Sequence, residues 1–495
     1  MIFTAALLLA APLFNSPAIA GETVSELISN ELDSDELISG QIVYDEAEEE
    51  MTVPVNIEYS VTMEYIPEDK SVTGYERVRY RNALGVPTHT LCFNLYFNSI
   101  HITDAFINSS ACRFSVSGAQ LVVFLPFVLQ PEQEVYIDIL FDAVIPDEPL
   151  FTGAEGETVW FGGFIPLLAT YDRSEQQFRS GGPYPVGKPF FSSVANFTVN
   201  LTTPADYTVL GAGDAAVSPL GEKKTTTMTA LMVRDFAFAL GKEYSDTGAA
   251  IGRLSETGIY IATHMYSETG KRDAEYYSRL AAACVDYFNT LIGGYPYKAL
   301  KIIEAGKTVN VNPYSYPQVL FINTQNLEDK SPEDIRLSFC TAVARQWFYG
   351  VIGSNPVREA WLAEGLPYYA ACLFIHKDDP EALQTHMDKL YDELSEVYGG
   401  LRYVRLSNNI GLYANESEYE AIQLKKAALM FHALRIELGG EAFEAFIRYY
   451  YRENYLTTTT REHIKRAAEE AAGRDLTEFF TAWIDGAALE PKPGD

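Results

Sequence analysis

The sequence is poor in cysteine and in basic residues, and each shortage excludes a class of protein. Only 5 cysteines are spread over 495 residues, and such an odd, sparse count is not a disulfide framework. The 37 Lys and Arg residues stand against 67 Asp and Glu, which gives a net charge of −30. This charge argues against binding to nucleic acid or to an anionic membrane surface. A basic or neutral peptide would be attracted to it, although solubility is the preferred explanation.

Long apolar runs are also missing. No stretch reaches the roughly 18 uninterrupted apolar residues that a membrane span needs. Residues 2–14 are apolar or small, and an Ala-Ile-Ala sequence ends at Ala20, which predicts a signal peptide at residues 1–20 although no basic residue precedes the apolar stretch. Residues 21–52 are rich in Glu, Asp and Ser and predict a flexible acidic leader. We therefore expect a secreted or cell-surface protein.

The hydrophobic pattern that follows changes from strands to helices near residue 243. Apolar and polar residues alternate over 53–65 and 73–81, as in strands with one buried face. Residues 273–291 instead carry apolar side chains at helical spacing, and most of the later chain has the same character. The pattern predicts an α+β multidomain protein, with an antiparallel β-sandwich or saddle domain at 53–243 and a second domain at 244–490 whose C-terminal part is helical.

The motif that says most about function lies in the helical second half of the chain. Residues 339–369 read FCTAVARQWFYGVIGSNPVREAWLAEGLPYY. This run resembles the active-site region of the membrane alanyl aminopeptidase family of gluzincins, which has H-E-x-x-H-x-W on one helix and W-L-x-E-G on the next. The matching residues are Gln346, Trp347, Phe348, Gly350, Trp361, Leu362, Glu364 and Gly365. The resemblance extends over most of the chain and implies a thermolysin-like, gluzincin-type domain at 244–490.

The family's chemistry needs two imidazoles one helical turn apart, a third ligand, and a carboxylate base. In this chain the first His position holds Thr341, the base position holds Ala342, and the second His position holds Arg345. Arginine stays protonated and is not a metal ligand. Glu364, 19 positions after Arg345 as in the family, is the only ligand position retained.

Two more functional positions of the family differ in this chain. The resemblance places Tyr314, Ser315 and Tyr316 in the substrate-binding loop, with Ser315 where the family has the Glu that holds the substrate's amino group. It places Leu424 where the family has the Tyr that stabilises the oxyanion, with Tyr419 nearby. Five of the six chemical positions therefore differ from the family's pattern.

These replacements predict a degenerate member of the family. We expect no intact catalytic residue and no cofactor, although the family uses zinc, and an Arg345–Glu364 salt bridge where the metal stands in the family. The preferred interpretation is an exported pseudopeptidase that binds peptides or a protein partner in the cleft between its domains, with no nucleic-acid partner. Two alternatives stay open: an active metallo-aminopeptidase with an unrecognised metal site, and a structural module that binds nothing.

Overall fold

The computed structural model describes residues 55–97, 99–146, 151–172, 175–179, 182, 184, 186–246, 248–306, 313–325, 327 and 330–494. The predicted signal peptide at 1–20 and acidic leader at 21–52 lie outside these residues. The described residues begin just before the first strand of a β-rich N-terminal domain, which is followed by a mixed and then helical part.

The N-terminal domain consists of strands. They are β1 (Ile57–Ile66), β2 (Ser71–Arg81), β3 (Thr88–Asn94), β4 (Ile100–Ile107), β5 (Ser110–Ala111), β6 (Arg113–Ser117), β7 (Gln120–Leu129), β8 (Glu134–Val144), β9 (Gly153–Glu155), β10 (Thr158–Gly162), β11 (Leu167–Leu168), β12 (Tyr171–Asp172), β13 (Gln177–Phe178), β14 (Ala195–Pro204), β15 (Thr208–Gly211), β16 (Asp214–Leu220), β17 (Lys223–Val233) and β18 (Ala237–Gly241). The alternation of buried and exposed residues along β1 is the period-two pattern that the sequence predicts.

Three larger sheets build this domain. One has eight strands in the order β16-β17-β14-β1-β2-β8-β4-β5, and two have four strands in the orders β15-β18-β10-β9 and β11-β3-β7-β6. Within the eight-stranded sheet β1 pairs antiparallel with β2 but parallel with β14. This pair departs from the antiparallel arrangement expected from the sequence, because β14 reaches β1 after a long excursion through the other sheets.

The second part begins with a five-stranded sheet and continues in helices. Its strands are β19 (Ala249–Leu254), β20 (Tyr260–Met265), β21 (Ala299–Glu304), β22 (Tyr314–Tyr316), β23 (Val319–Ile322), β24 (Gly353–Ser354) and β25 (Thr458–Thr459). Its helices are α1 (Glu243–Asp246), α2 (Glu268–Leu291), α3 (Pro332–Arg345), α4 (Trp361–Ile375), α5 (Pro380–Tyr398), α6 (Glu416–Tyr419), α7 (Ala427–Leu438), α8 (Gly440–Glu453), α9 (Arg461–Ala472) and α10 (Thr477–Asp485). The five strands are ordered β19-β20-β21-β23-β22, so β22 forms one edge.

Local chemistry explains the two helices that matter most. The side chain of Ser331 caps α3 by accepting a hydrogen bond from the backbone N–H of Asp334, and Pro332 follows at the first helical position. Helix α4 is buried along almost its whole length, which explains why it is apolar on every face. Wide π-helical turns follow α3 at Gln346–Val351 and precede α7 at Glu420–Lys426.

A buried arginine joins the β-rich part to the helical part. Arg234 follows β17 and donates hydrogen bonds to the carbonyl oxygen of Val351 at 2.9 Å and to that of Ser192 at 3.3 Å.

The predicted fold class is confirmed, whereas the exact boundaries at 53–243 and 244–490 stay predictions. Within the described residues, no helix combines the length and apolar character that crossing a membrane requires.

Candidate active site

A cavity of about 50 Å³ lies beside the edge strand β22 and the helices α3 and α4. Its lining residues come from four places in the chain: residues 187–188, β22, the α3–α4 region and the segment 416–424. They are Gly187, Lys188, Tyr314, Ser315, Arg345, Tyr349, Ser354, Pro356, Ala360, Ala363, Glu364, Glu416, Tyr419, Glu420 and Leu424. The fold therefore brings together most of the site residues that the sequence singles out.

The predicted ion pair is present. A guanidinium nitrogen of Arg345, the last residue of α3, donates to a carboxylate oxygen of Glu364, in the first turn of α4. Both side chains are buried, with 14% and 11% exposure. Burial opposes the charge on Arg345, but the neighbouring Glu364 carboxylate raises the pKa of this guanidinium above its usual value. The buried Glu364 carboxylate thus has a cation in direct contact, and without such a partner a buried charge would destabilise the fold.

The phenol of Tyr419 completes this pair. Its hydroxyl donates to the other oxygen of Glu364 at 3.2 Å. Both carboxylate oxygens of Glu364 are therefore occupied by protein donors. Tyr419 lies five positions before Leu424, and its aromatic ring close to the expected oxyanion position is the signal that could have assigned it to the site. Leu424 itself lies in the cavity wall.

Thr341 and Ala342 stand away from this chemistry. The hydroxyl of Thr341 donates to the backbone carbonyl of Leu337, one turn earlier, at 2.8 Å. Ala342 is fully buried in the core. Neither residue belongs to the cavity lining. Thr341 bonds within helix α3, and Ala342 packs in the core.

The three residues predicted to bind substrate, Tyr314, Ser315 and Tyr316, have different surroundings. Tyr314 lines the cavity, and its hydroxyl is buried without a hydrogen-bond partner among the described residues. The Ser315 hydroxyl accepts a hydrogen bond from the Gln346 amide at 2.8 Å. Tyr316 is fully buried against Phe190 and Phe321, and it lies outside the cavity lining.

Lys188 is the main residue that the sequence does not predict. Its ammonium lies 3.8 Å from the carboxylate of Asp235 and donates to the backbone carbonyl of Ser315. Burial lowers the pKa of Lys188 to about 7, although Asp235 raises it. The hydroxyl of Tyr349 also donates to Asp235. No local pattern marks Lys188, because it lies in a loop far from the motif in sequence.

Two further carboxylates, Glu416 and Glu420, line the cavity. Burial raises the pKa of Glu416 to about 7, and the backbone N–H of Gly187 donates to this carboxylate at 3.1 Å. Burial also raises the pKa of Glu420. Neither forms an ion pair among the described residues. The cavity lining therefore contains the Arg345–Glu364 pair, the Lys188 ammonium whose partner Asp235 lies behind the lining, and two further acids.

The match to known families covers the part of the chain that forms this site. The Peptidase family M1 domain matches residues 308–483. Aminopeptidase N of Lactococcus lactis subsp. lactis is 21% identical over 50% of this chain and 30% of its own length. Aminopeptidase M1-B of Oryza sativa subsp. japonica is 23% identical over 40% of this chain and 23% of its own length. The matched segments thus span less than a third of these relatives.

Solved structures match a larger part of the fold. The M1 zinc metallopeptidase from Deinococcus radiodurans superposes with a TM-score of 0.66 at 17% identity, and the match covers 88% of this chain and 96% of that one. A mutant of that enzyme bound to a Tyr-Ser-Ala substrate gives 0.65 at 18% identity over the same shares. A two-domain M1 zinc metallopeptidase mutant bound to L-tryptophan gives 0.67 at 18% identity, over 89% and 97%. At these identities the likeness establishes the fold.

These findings correct one expectation. We expected no cofactor, and this is wrong, because the matching family and the structural neighbours indicate zinc. The residues at the family's ligand positions do not fit the metal, however. The Thr341 hydroxyl is bonded within its helix and Arg345 is a cation paired with Glu364, and the described part of the chain groups no three His, Cys, Asp or Glu side chains that could hold a metal ion.

Zinc would therefore lack two of its three protein ligands at these positions. The scaffold around them is nevertheless that of the family, from the β-rich domain through the paired helices α3 and α4. Sequence match, fold and the placement of Glu364 agree, and together they show that this chain is similar to the M1 aminopeptidase family over residues 308–483 and shares the fold of M1 zinc metallopeptidases.

Proposed function

We propose that this chain is an exported, non-catalytic member of the family that binds short peptides in the cavity beside Arg345 and Glu364. The observation that carries the proposal is the buried Arg345–Glu364 ion pair, in which the retained ligand carboxylate is already neutralised by a side chain of the chain itself. Export rests on the predicted signal peptide at residues 1–20.

The argument against catalysis comes from the side chains present. Peptide hydrolysis by this family needs a base that takes a proton from the attacking water, and the corresponding Ala342 has no group that could accept one. Loss of a general base alone costs about 10²–10⁴ in rate. The oxyanion position holds Leu424, an apolar residue that donates no hydrogen bond. The phenol nearest to this position in the sequence, Tyr419, already donates to Glu364.

Binding is supported by buried polar atoms of residues that line the cavity. The Tyr314 hydroxyl, the Ser354 hydroxyl and the Nε atom of Arg345 are buried and have no hydrogen-bond partner among the described residues. Buried polar groups in folded proteins nearly always have partners, so three unsatisfied groups in one cavity support a polar ligand. A structural neighbour bound to Tyr-Ser-Ala supports a peptide.

A paired assay tests both halves of the proposal. Cleavage of aminoacyl fluorogenic amides is measured with added zinc for the wild-type chain and for a triple variant, Thr341→His, Ala342→Glu and Arg345→His. Binding of Tyr-Ser-Ala amide to the wild type is measured by calorimetry. We expect binding without turnover in the wild type. Zinc-dependent cleavage by the wild type would overturn the claim of inactivity, and the absence of binding would overturn the claim of a peptide ligand.

The alternative of an active zinc enzyme has one observation in its favour, since the named structural neighbours are zinc metallopeptidases. Such an enzyme would need a ligand set outside Thr341, Ala342 and Arg345. In the assay above it predicts cleavage by the wild type that a chelator abolishes and zinc restores. The triple variant should then be no more active than the wild type.

A further inference from the structure

We propose that Lys188 is a specificity-determining residue, which caps the outer edge of β22 so that only the first one or two residues of a ligand contribute to its affinity. This inference rests on the proposed peptide-binding function. It assigns a ligand size to the same cavity and names the side chain that sets it.

The edge strand is the starting point. Strand β22 pairs antiparallel with β23 and ends the five-stranded sheet. The free edge of a sheet offers unpaired backbone groups, and an extended peptide can add there as another strand. Since Tyr314 and Ser315 of β22 line the cavity, a long peptide in the cavity would be expected to pair with this edge.

A side chain already occupies an acceptor of that edge. The Lys188 ammonium donates to the carbonyl oxygen of Ser315. The Gln346 amide donates to the carbonyl oxygen of Tyr316 at 2.7 Å, but successive carbonyl groups of a strand point to opposite sides, so only one of the two lies on the outer edge. The edge acceptor that Lys188 covers is the Ser315 carbonyl, which is thus unavailable to an incoming strand. Gln346 is completely buried and also accepts from Tyr295 and from the backbone of Gln318, so the movable cap is Lys188.

The surroundings of Lys188 hold it in this position. Its Nζ atom lies 3.8 Å from the ring centroid of Tyr349, 4.0 Å from that of Tyr316 and 4.9 Å from that of Tyr314. A cation over an aromatic face is attracted to it, more strongly where water is excluded. Together with Asp235 at 3.8 Å, these rings oppose withdrawal of the side chain. A peptide must displace Lys188 from all of them before it can pair with β22.

The size of the cavity agrees with a short ligand. About 50 Å³ is available beside the capped strand, far below the roughly 300–1,000 Å³ of sites that enclose drug-sized ligands. The first residue of a peptide has polar partners there, in the hydroxyls of Tyr314 and Ser354. Later residues would have only the capped edge, so they should add little to the affinity.

A length series measures this directly. Calorimetry on the full chain compares tyrosine amide, Tyr-Ser-Ala amide and a five-residue extension of the same peptide. For the wild type we expect affinities within about twofold of one another. For Lys188→Met, which fills a similar volume without a donor, we expect the five-residue peptide to bind about tenfold more tightly, the effect of one or two added backbone hydrogen bonds. The affinity for tyrosine amide should not change.

Controls separate the possible failures. Lys425→Met removes a surface lysine that pairs with Glu393 at 2.9 Å and should keep the wild-type series, as should Lys188→Gln, which retains a donor. Binding by the wild type that strengthens about tenfold with length would overturn this inference and leave the proposed function intact. An unchanged series in a folded Lys188→Met variant would also overturn it. If no probe binds to any of these proteins, both proposals are wrong. Should Lys188→Met fail to fold, the wild-type series still decides.

Discussion

Two buried cation–carboxylate pairs lie at or beside the cavity, Arg345–Glu364 and Lys188–Asp235, and they differ in how many of their polar atoms have partners. Arg345 contacts Glu364 directly, and Tyr419 donates to the second oxygen of that carboxylate. Lys188 lies 3.8 Å from Asp235, and one oxygen of Asp235 is buried with no hydrogen-bond partner among the described residues. Both oxygens of Glu364 have donors, although Arg345 Nε has no partner among the described residues, whereas the lysine pair depends on aromatic rings and on a backbone carbonyl.

This difference has an electrostatic consequence. The Arg345 guanidinium gains from its partner despite burial, so its pKa is raised. For Lys188, burial outweighs the attraction of Asp235, and the pKa falls to about 7. A delocalised guanidinium in direct contact with a carboxylate tolerates burial better than a compact ammonium at a longer distance. We therefore regard the arginine pair as the fixed element and the lysine pair as the adjustable element.

The largest effect should follow loss of the arginine. Arg345→Met leaves the buried Glu364 without its cation, and breaking such a pair typically costs about 3–5 kcal/mol. Chemical denaturation of wild type and variant measures the free energy of unfolding. Arg358→Met is the matched control, because Arg358 forms a more exposed pair with Glu175 and should cost less than about 1 kcal/mol. If both variants lose the same free energy of unfolding, the buried Arg345–Glu364 pair contributes no more to stability than the exposed pair of Arg358.

A smaller and pH-dependent effect should follow loss of the lysine. Lys188→Met should cost about 1–3 kcal/mol at pH 7, because Asp235 loses a partner while keeping Tyr349. The folded pKa of Lys188 lies near 7, below the 10.5 of an unfolded lysine. Its contribution to stability is therefore complete above pH 10.5 and is lost as the pH falls through about 7.

The difference between wild type and Lys188→Met should accordingly grow from pH 7 to pH 9.5, by at most about 1.4 kcal/mol per pH unit. Denaturation at both pH values measures it, and the other buried lysines cancel because both proteins contain them. A difference that shrinks over this range would mean that the aromatic rings hold Lys188 charged. In that case the two pairs would behave alike.

Sequence reasoning reached one of these pairs and missed the other for a physical reason. Arg345 and Glu364 lie on neighbouring helices within one motif, where spacing along the chain specifies proximity. Lys188 meets Asp235 through the folding of the β-rich part and Ser315 only because that part folds against the second part, and nothing in the local sequence encodes either approach. Spacing along the chain predicts contacts between neighbouring helices of one motif, but it does not predict contacts between a loop and a distant strand.

The same limit applies to the fold. The strands β1 and β2 and the helix α9 could be predicted from periodicity, since a half-buried strand or helix repeats its apolar residues regularly. The parallel pairing of β1 with β14 could not, because register between distant strands depends on the whole sheet. The π-helical turn at Glu420–Lys426 was not predicted either, and it lies between Tyr419 of the site and α7.

A modest effect should follow loss of the phenol that completes the arginine pair. Tyr419→Phe removes the 3.2 Å hydrogen bond to Glu364 but leaves Arg345 in place. The expected cost is about 1 kcal/mol, the usual net value of such a bond. Tyr136→Phe, at an exposed position of β8, is the control. A cost as large as that of Arg345→Met would show that the tyrosine, and not the arginine, neutralises the carboxylate.

The smallest effect should come from Glu416, an acid of the cavity lining that forms no ion pair with any residue that the structure describes. Burial raises its folded pKa to about 7 from 4.5, so its contribution to stability is complete below pH 4.5 and is lost as the pH rises through about 7. Glu416→Gln should therefore be more stable than the wild type at pH 8, by roughly 0.5 kcal/mol after solvent screening, and should lose this advantage at pH 5. The glutamine can still accept from the Gly187 backbone. Thermal unfolding at both pH values measures the change, and a wild type that is the more stable protein at pH 8 would mean that a cation already lies beside Glu416.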